Sequence, residues 1–434
     1  MDVATHARDG AVKALTAAWL ITSLYYFYQY VLRSSPAVMV PQLSDAFDVS
    51  ALGLASLVGL FYYGYAPFSL VAGVAMDQLG PRKVVPLGAA MVGIGALLFA
   101  TGNPTMAAVG RFIQGAAGVF ALVGAVYIAT TYFPASRAAT LIGVTQMFGM
   151  AGGSAGQFVV GPLIGAGLPW NWFWLIMGLA GFPLAITLLV LMGSTAKPTA
   201  GIQSRGSPGG LVQAMRMMGA VFCNPQSILC GLIAGLMFLP TTIFDMVWGV
   251  RFLEEAHGLP YSLAVLRSAS VPFGWIIGCP LMGFVSDRIG RRKPVIIVSG
   301  VLLLGAMALI LYGPPGVFPP FSLGLVAGIA SGAAMLPYTV IKEANLPEHG
   351  GTATGVVNFI NFSLSALLGP VFAGLLTRIS GGGERTLAHY QDAFGPLLAG
   401  VALAIVLALF LRETGHAANR RKSLVQPMRK PRRV

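Results

Sequence analysis

With 434 residues, 56% of them hydrophobic and 9% charged, and a mean hydropathy of +0.77, the chain falls far below the roughly 25% charged residues of a soluble domain. That excludes a water-soluble globular protein and predicts an all-α integral membrane protein with many spanning helices. The net charge of +13 would suit a nucleic-acid partner, but Lys and Arg fall between alternate apolar segments and in the tail, as the positive-inside rule expects, and this excludes that partner.

Residues 1–13 are polar, and the apolar run that follows exceeds the 7–15 residues of a signal-peptide core, so it is read as an uncleaved first span. Twelve apolar segments are predicted to cross the bilayer: 14–40, 52–76, 84–103, 105–133, 138–165, 170–192, 226–253, 262–286, 294–313, 319–341, 351–377 and 393–412. Glycine and proline inside these runs suit close helix packing and locally re-satisfied backbone. The longest polar interruption, 193–225, carries Lys197, Arg205 and Arg216 and separates six spans from six; within it Leu211–Phe222 is predicted as an amphipathic surface helix. The expected organisation is a six-helix bundle over 1–192, a cytoplasmic linker over 193–225, a second six-helix bundle over 226–412 and a basic cytoplasmic tail over 413–434. Arg420, Arg421, Lys422 and the basic residues of 429–433 in that tail suit anionic lipid. Putting both termini in the cytoplasm leaves only Arg378 and Arg385 in an outer loop, and a bacterial inner membrane is the expected location. Cys223, Cys230 and Cys279 form neither a disulfide framework nor a metal spacing.

Two loops repeat. Gly73-Val-Ala-Met-Asp77-Gln-Leu-Gly80-Pro-Arg82-Lys83 follows the second span, and Gly283-Phe-Val-Ser-Asp287-Arg-Ile-Gly290-Arg-Arg292-Lys293 follows the eighth, 210 residues later. In each, the first Gly permits close helix contact, the Asp can cap or pair at the membrane edge, and the second Gly permits a sharp turn. This pattern resembles motif A of the major facilitator superfamily, in both halves of the chain. Arg111-Phe-Ile-Gln114-Gly115-Ala-Ala-Gly118 resembles that family's motif B, and Gly161-Pro162-Leu-Ile-Gly165 resembles part of motif C. Gln157 departs from the fuller glycine pattern of motif C, and Gly369-Pro370 repeats the element in span 11, so both are read as packing and bending elements. The resemblance implies two pseudo-symmetric six-helix bundles with a solute site between them near the midplane, and transport by rocking. It further implies that Asp77, Arg82, Asp287 and Arg292 latch the bundles in the outward-open state rather than touching the solute.

Ionisable residues inside spans are functional candidates. Thr22, Tyr26, Gln29 and Arg33 recur at spacings of four, three and four and share one face of the first span. They suit a cavity lining; the alternative is that Arg33 snorkels to the outer surface. Asp245 lies 42 residues before Asp287, as Arg33 lies 44 before Asp77, so the two are expected at matched depths in opposite bundles. Thr241, Thr242, Asp245 and Trp248 are expected to share a face. Three readings of the pair stay open: a zwitterion site with Arg33 on a carboxylate and Asp245 on an ammonium, Asp245 as a symporter's proton carrier, or a salt bridge closing the outer gate. Arg111, by the motif B resemblance, supports proton coupling; bonding to carbonyls of span 1 is the structural alternative. Lys342 is read as a positive-inside anchor or, if span 10 runs deeper, a second anion-binding group. Tyr62, Tyr65, Tyr127, Gln146, Tyr338, Asn358 and Asn361 supply uncharged polar groups for a solute or sodium, or for interhelical bonds.

The expected function is secondary active transport of a small organic anion or a zwitterion such as an amino acid, coupled to a proton or sodium, by a monomer in the bilayer without cofactor or metal. The arginine in span 1 resembles that of the family's organic-anion carriers, and Tyr28-Gln-Tyr-Val-Leu-Arg33-Ser-Ser-Pro36 resembles the bacterial intraphagosomal amino-acid transporters. Efflux of a lipophilic drug or siderophore, and a non-transporting receptor, are the alternatives. An enzyme is not expected, since His6, His257, His349, His389 and His416 all fall in terminal or loop segments and no nucleophile–base set or phosphate loop is present.

Overall fold

The computed structural model describes residues 2–49, 51–195, 211–314, 320–381 and 383–415, and among these it contains only helices and their connections. The twelve spans are α1 (Asp2–Ser34), α2 (Ala51–Leu79), α3 (Pro81–Ala100), α4 (Pro104–Tyr132), α5 (Ala138–Phe158) and α6 (Trp170–Thr195), then α7 (Pro225–Leu239), α8 (Ser270–Ile289), α9 (Lys293–Tyr312), α10 (Pro320–Ser331), α11 (Gly350–Ile379) and α12 (Leu387–Phe410). Two spans change winding midway. α7 continues as a π-helix over Pro240–Trp248, and α10 passes through a 3₁₀ turn at Gly332–Met335 into Leu336–Glu343. Leu211–Phe222 is a separate helix, as its pattern predicts, with Val212 and Met215 exposed. Lys197, Arg205 and the basic tail residues Arg420, Arg421, Lys422 and 429–433 lie outside the described residues.

Among the described residues eleven segments are long and apolar enough to cross a membrane, and α1 is not one of them. Tyr25, Tyr26, Tyr28, Gln29, Tyr30 and Arg33 dilute its hydropathy. It packs nonetheless as a bundle helix, because its polar tips are spent on neighbours: Tyr25 Oη donates to Ala117 O of α4 (2.8 Å) and Tyr28 Oη to Met177 O of α6 (2.7 Å).

The helix pairings of the first half recur in the second. α2 packs on α4 as α8 packs on α10, α3 on α6 as α9 on α12, α3 on α4 as α9 on α10, and α1 on α5 as α7 on α11. The halves meet through α5 against α8 and α2 against α11, contacts that the same two-fold relation exchanges.

The repeated loops stand where these seams end. Gly80 (φ 75°) and Gly290 (φ 69°) adopt the left-handed conformation the reversal requires. A Cβ on Gly73 would lie 2.6 Å from Gly351 O, and one on Gly283 would lie 2.9 Å from Thr140 Cα. The glycines thus let α2 and α8 reach the N-termini of α11 and α5 in the opposite bundle. There Asp77 accepts from Gly351 N (2.6 Å), Thr352 N (2.6 Å) and Thr352 Oγ1 (2.7 Å). Asp287 accepts from Thr140 N (2.8 Å) and Thr140 Oγ1 (2.7 Å). Each carboxylate caps a helix of the other half, where unpaired N–H groups and the helix dipole favour negative charge. The motif end of the molecule is closed.

The two copies differ in their basic partner. Arg292 is fully buried and pairs with Asp287 (2.6 Å) and Glu343 (2.9 Å), while its Nη2 also donates to Ala135 O of the first half (3.3 Å). Arg82, expected in the same role, is exposed and makes no hydrogen bond or ion pair among the described residues. The reason lies in the local backbone: α3 starts at Pro81, so Arg82 sits in its first turn and points to the surface, whereas Arg292 precedes Lys293, the first residue of α9. Lys342 reaches the first half instead, donating to Thr130 Oγ1 with its Nζ 5.3 Å from the Tyr127 ring centroid.

Candidate solute site between the bundles

At the far end of α1, in its last helical turn, Arg33 points toward the seam with α2 and α11. Its guanidinium carbon lies 4.7 Å from the ring centroid of Tyr30, 4.9 Å from Tyr62, 5.2 Å from Phe362 and 5.4 Å from Phe61. Nη2 donates to Tyr62 Oη (3.3 Å), whereas Nη1 is buried without a partner. Phe362 belongs to α11, so the cage is built from both bundles. These four aromatic faces and that of Tyr65 (5.6 Å) hold the guanidinium by cation–π attraction, worth on the order of 0.5–2 kcal/mol each depending on desolvation. Among the described residues no carboxylate pairs with it.

Toward the motif end, the seam narrows to a cavity of about 10 Å³ lined by Tyr26, Gln146, Phe238, Trp275, Tyr338 and Asn361, among others, which is space for about one water. Tyr26 Oη donates to Gln146 Oε1 (3.1 Å). Tyr338 Oη donates to Asn358 Oδ1 (2.9 Å) and receives from Asn361 Nδ2 (3.2 Å), and Asn358 Nδ2 crosses to Ser69 Oγ of α2 (2.7 Å). Two buried polar atoms along this seam have no partner, Tyr65 Oη and Asn361 Oδ1, and within the first bundle both side-chain heteroatoms of Gln29, against Gly118 of α4, also have none. Such orphans are rare in an apolar setting because each costs about 1–3 kcal/mol, and here two of them and Arg33 Nη1 border one interface.

The structure therefore brings Arg33, Tyr62 and Tyr65 together in one cluster and Tyr26, Gln146, Tyr338, Asn358 and Asn361 in the next. It does not bring Asp245 or Trp248 to either. Asp245 Oδ1 accepts from Ser268 Oγ (3.1 Å) inside the second bundle, and no ion pair links it to Arg33 among the described residues. Matched sequence depth failed because α7 is π-helical over Pro240–Trp248: each extra residue per turn rotates the following side chains around the axis. The expected polar face splits accordingly. Thr241 Oγ1 accepts from Trp275 Nε1 of α8 (2.8 Å), and Thr242 bonds Ser365 of α11 (3.2 Å). Trp248 packs on Phe394 beneath the guanidinium of Arg385 (5.2 Å).

Arg111 is buried and its donors go to Leu32 O (3.2 Å), Val58 O (3.4 Å) and Gln114 Oε1 (2.8 Å). It ties α4 to the carbonyl just before Arg33. Arg111→Met is expected to lower stability by about 1–3 kcal/mol through the carbonyls left unpaired, read as a fall in melting temperature in detergent. An unchanged melting temperature with transport lost would mark it instead as a coupling residue.

Ser69, Phe61 and Phe362 belong to these networks, and Glu343 to the motif-end latch; none was assigned a role from the sequence. Glu343 carried a signal, an acidic residue closing an otherwise apolar span; the aromatic residues carried none, since phenylalanine is common in any span.

Comparison with known proteins agrees with this architecture. The family model described as Major Facilitator Superfamily matches residues 22–370. A probable sulfoacetate transporter of Cupriavidus necator is 24% identical over 83% of this chain and 87% of its own, and a hexuronate transporter of Bacillus subtilis is 23% identical over 81% and 85%. The multidrug resistance protein Stp of Mycobacterium tuberculosis is 24% identical over 78% and 72%. The crystal structure of the transporter FucP in the outward conformation superposes with a TM-score of 0.72 at 14% identity, over 92% of this chain and 99% of that one.

Proposed function

The chain belongs to the major facilitator superfamily and is a transporter rather than an enzyme, and we propose from that premise that it moves a small organic anion across a bacterial inner membrane, with both termini in the cytoplasm. The observation that carries this reading is Arg33 Nη1, a buried cationic donor with no partner at the seam between the bundles. An anionic oxygen is the group that satisfies it, and Tyr62 stands within hydrogen-bonding distance of the same guanidinium to share the contact. Gln29, Tyr65, Tyr26, Gln146, Tyr338, Asn358 and Asn361 then serve the remaining polar atoms of the solute. The relatives support the charge: sulfoacetate and hexuronates, named for two of them, are carboxylates. The closed motif end and the one-water cavity correspond to a state the solute enters only after the bundles part at the far end.

The coupling ion is a proton, or sodium, and the working unit is a monomer. Reconstitution into proteoliposomes under imposed proton or sodium gradients tests the reading, with a panel of sulfonated and carboxylated solutes, amino acids, neutral sugars and lipophilic drugs. Gradient-driven accumulation of one or more carboxylates, and not of neutral sugars, is the expected result. Accumulation of drugs alone would overturn the anion reading, and binding without accumulation of any compound would make the protein a receptor.

A further inference from the structure

We propose that a second cavity, half-open and lined by α7, the short helix Tyr261–Ser268, α8, α9 and α10 within the second bundle, is a ligand site for a small zwitterion that carries a primary ammonium and an apolar body. The cavity measures about 140 Å³, against the 10–15 Å³ that admits one water, so it holds a molecule of roughly ten heavy atoms. Its walls are mostly apolar, with Phe244, Phe252, Val271, Leu303 and Met307 among them.

Three polar groups line it. Asp245 is 8% exposed, and its carboxylate accepts one side-chain hydrogen bond, from Ser268, although two oxygens offer about four acceptor positions. Ser331 is fully buried and its hydroxyl has no partner. Arg267 adjoins Ser268 on the same wall, and its buried Nε is likewise unpartnered. Asp245 and Arg267 thus line one cavity without forming an ion pair. A simple anion in this space would be repelled by Asp245, and a metal cation would meet Arg267 and find few oxygens. A molecule with both charges satisfies both walls: the ammonium donates to Asp245 and Ser331, the anionic group accepts from Arg267, and the body lies on the phenylalanines. Asp245 also sits in the π-helical stretch of α7, a distortion that recurs at functional sites. His257, Gly313 and Pro314 border the cavity where α7 and α9 end, opposite the motif loops. This chemistry has two sources, a free amino acid such as leucine or the headgroup of phosphatidylethanolamine. The inference is independent of the solute proposed for the interbundle site.

The test uses the full-length chain in nanodiscs. One arm titrates L-leucine calorimetrically into discs of phosphatidylcholine and phosphatidylglycerol; the other measures melting temperature with and without added phosphatidylethanolamine. Saturable binding in the first arm identifies the free amino acid, and stabilisation confined to the second identifies the headgroup. In either case Asp245→Asn and Arg267→Gln are each expected to weaken binding by about tenfold or more while leaving the unliganded melting temperature unchanged. Isoamylamine and isocaproate, each lacking one charge of leucine, are expected not to compete. Absence of both effects, their survival in the two variants, or their loss in Arg33→Gln would overturn the proposal.

Discussion

Arg33→Gln is expected to weaken binding of the transported anion by about 2–5 kcal/mol, a factor of roughly thirty to several thousand. The magnitude follows from the setting. The guanidinium is enclosed by Tyr30, Phe61, Tyr62 and Phe362 and has no carboxylate partner, so an anion that reaches it makes a charge-assisted bond in a largely desolvated site. Arg33→Lys should recover only part of the loss, because an ammonium cannot present a planar fork to a carboxylate while stacking on the aromatic faces. Tyr62→Phe, which removes one shared hydrogen bond, should cost about 0.5–1.5 kcal/mol. Equilibrium binding and solute counterflow in proteoliposomes separate these variants. Unchanged anion affinity in Arg33→Gln would sink the site assignment while leaving the family and the fold intact.

The parts of this molecule that follow from short-range rules were legible in the sequence. Apolar length marked the spans, and the two glycine–aspartate loops marked the two-fold repeat, because a close crossing and a capped helix N-terminus need those residue types at that spacing. The α-helical period fixed the relative azimuths of Tyr26, Gln29 and Arg33 on α1, but not their neighbours: Tyr26 meets Gln146 of α5, Gln29 lies against Gly118 of α4 and Arg33 reaches Phe362 of α11. Asp245 was not legible. Its position was inferred from sequence distance at an α-helical period, but a π-helical stretch changes both the azimuth and the rise per residue, and the side chain turned to Ser268 instead of the seam. Arg82 misled differently: its motif position matches Arg292, but Arg82 meets no carboxylate among the described residues, whereas Arg292 pairs with Asp287 and with Glu343, which lies on a different span and is joined to it by tertiary packing alone. Residues whose role depends on a partner distant in sequence are legible only once the helices are packed.

That asymmetry makes the second latch the more fragile, and Arg292→Met is the variant that exposes it. The guanidinium is fully buried and pairs with Asp287 and Glu343, donates to Ser286 Oγ (3.1 Å), and reaches Ala135 O in the opposite bundle. Removing it strands two carboxylates at a closed seam. Breaking a buried pair from one side typically costs about 3–5 kcal/mol, and about 5.5 kcal/mol carries a two-state equilibrium from 1:99 to 99:1. The closed motif end should therefore lose much of its population to the open one. Asp77→Asn should shift the balance less, since Asp77 is held by Gly351 and Thr352 without a paired cation, and the amide oxygen can still accept from them. Electron–electron distance measurements between spin labels at Lys83 and Glu348, exposed residues of opposite halves at the motif end, give the readout. Arg292→Met should lengthen the distribution well beyond Asp77→Asn, and Arg292→Lys should restore part of the short population by returning a charge to the site. Identical distributions in the two variants would mean that the aspartate caps alone, and not the buried arginine, hold this end shut.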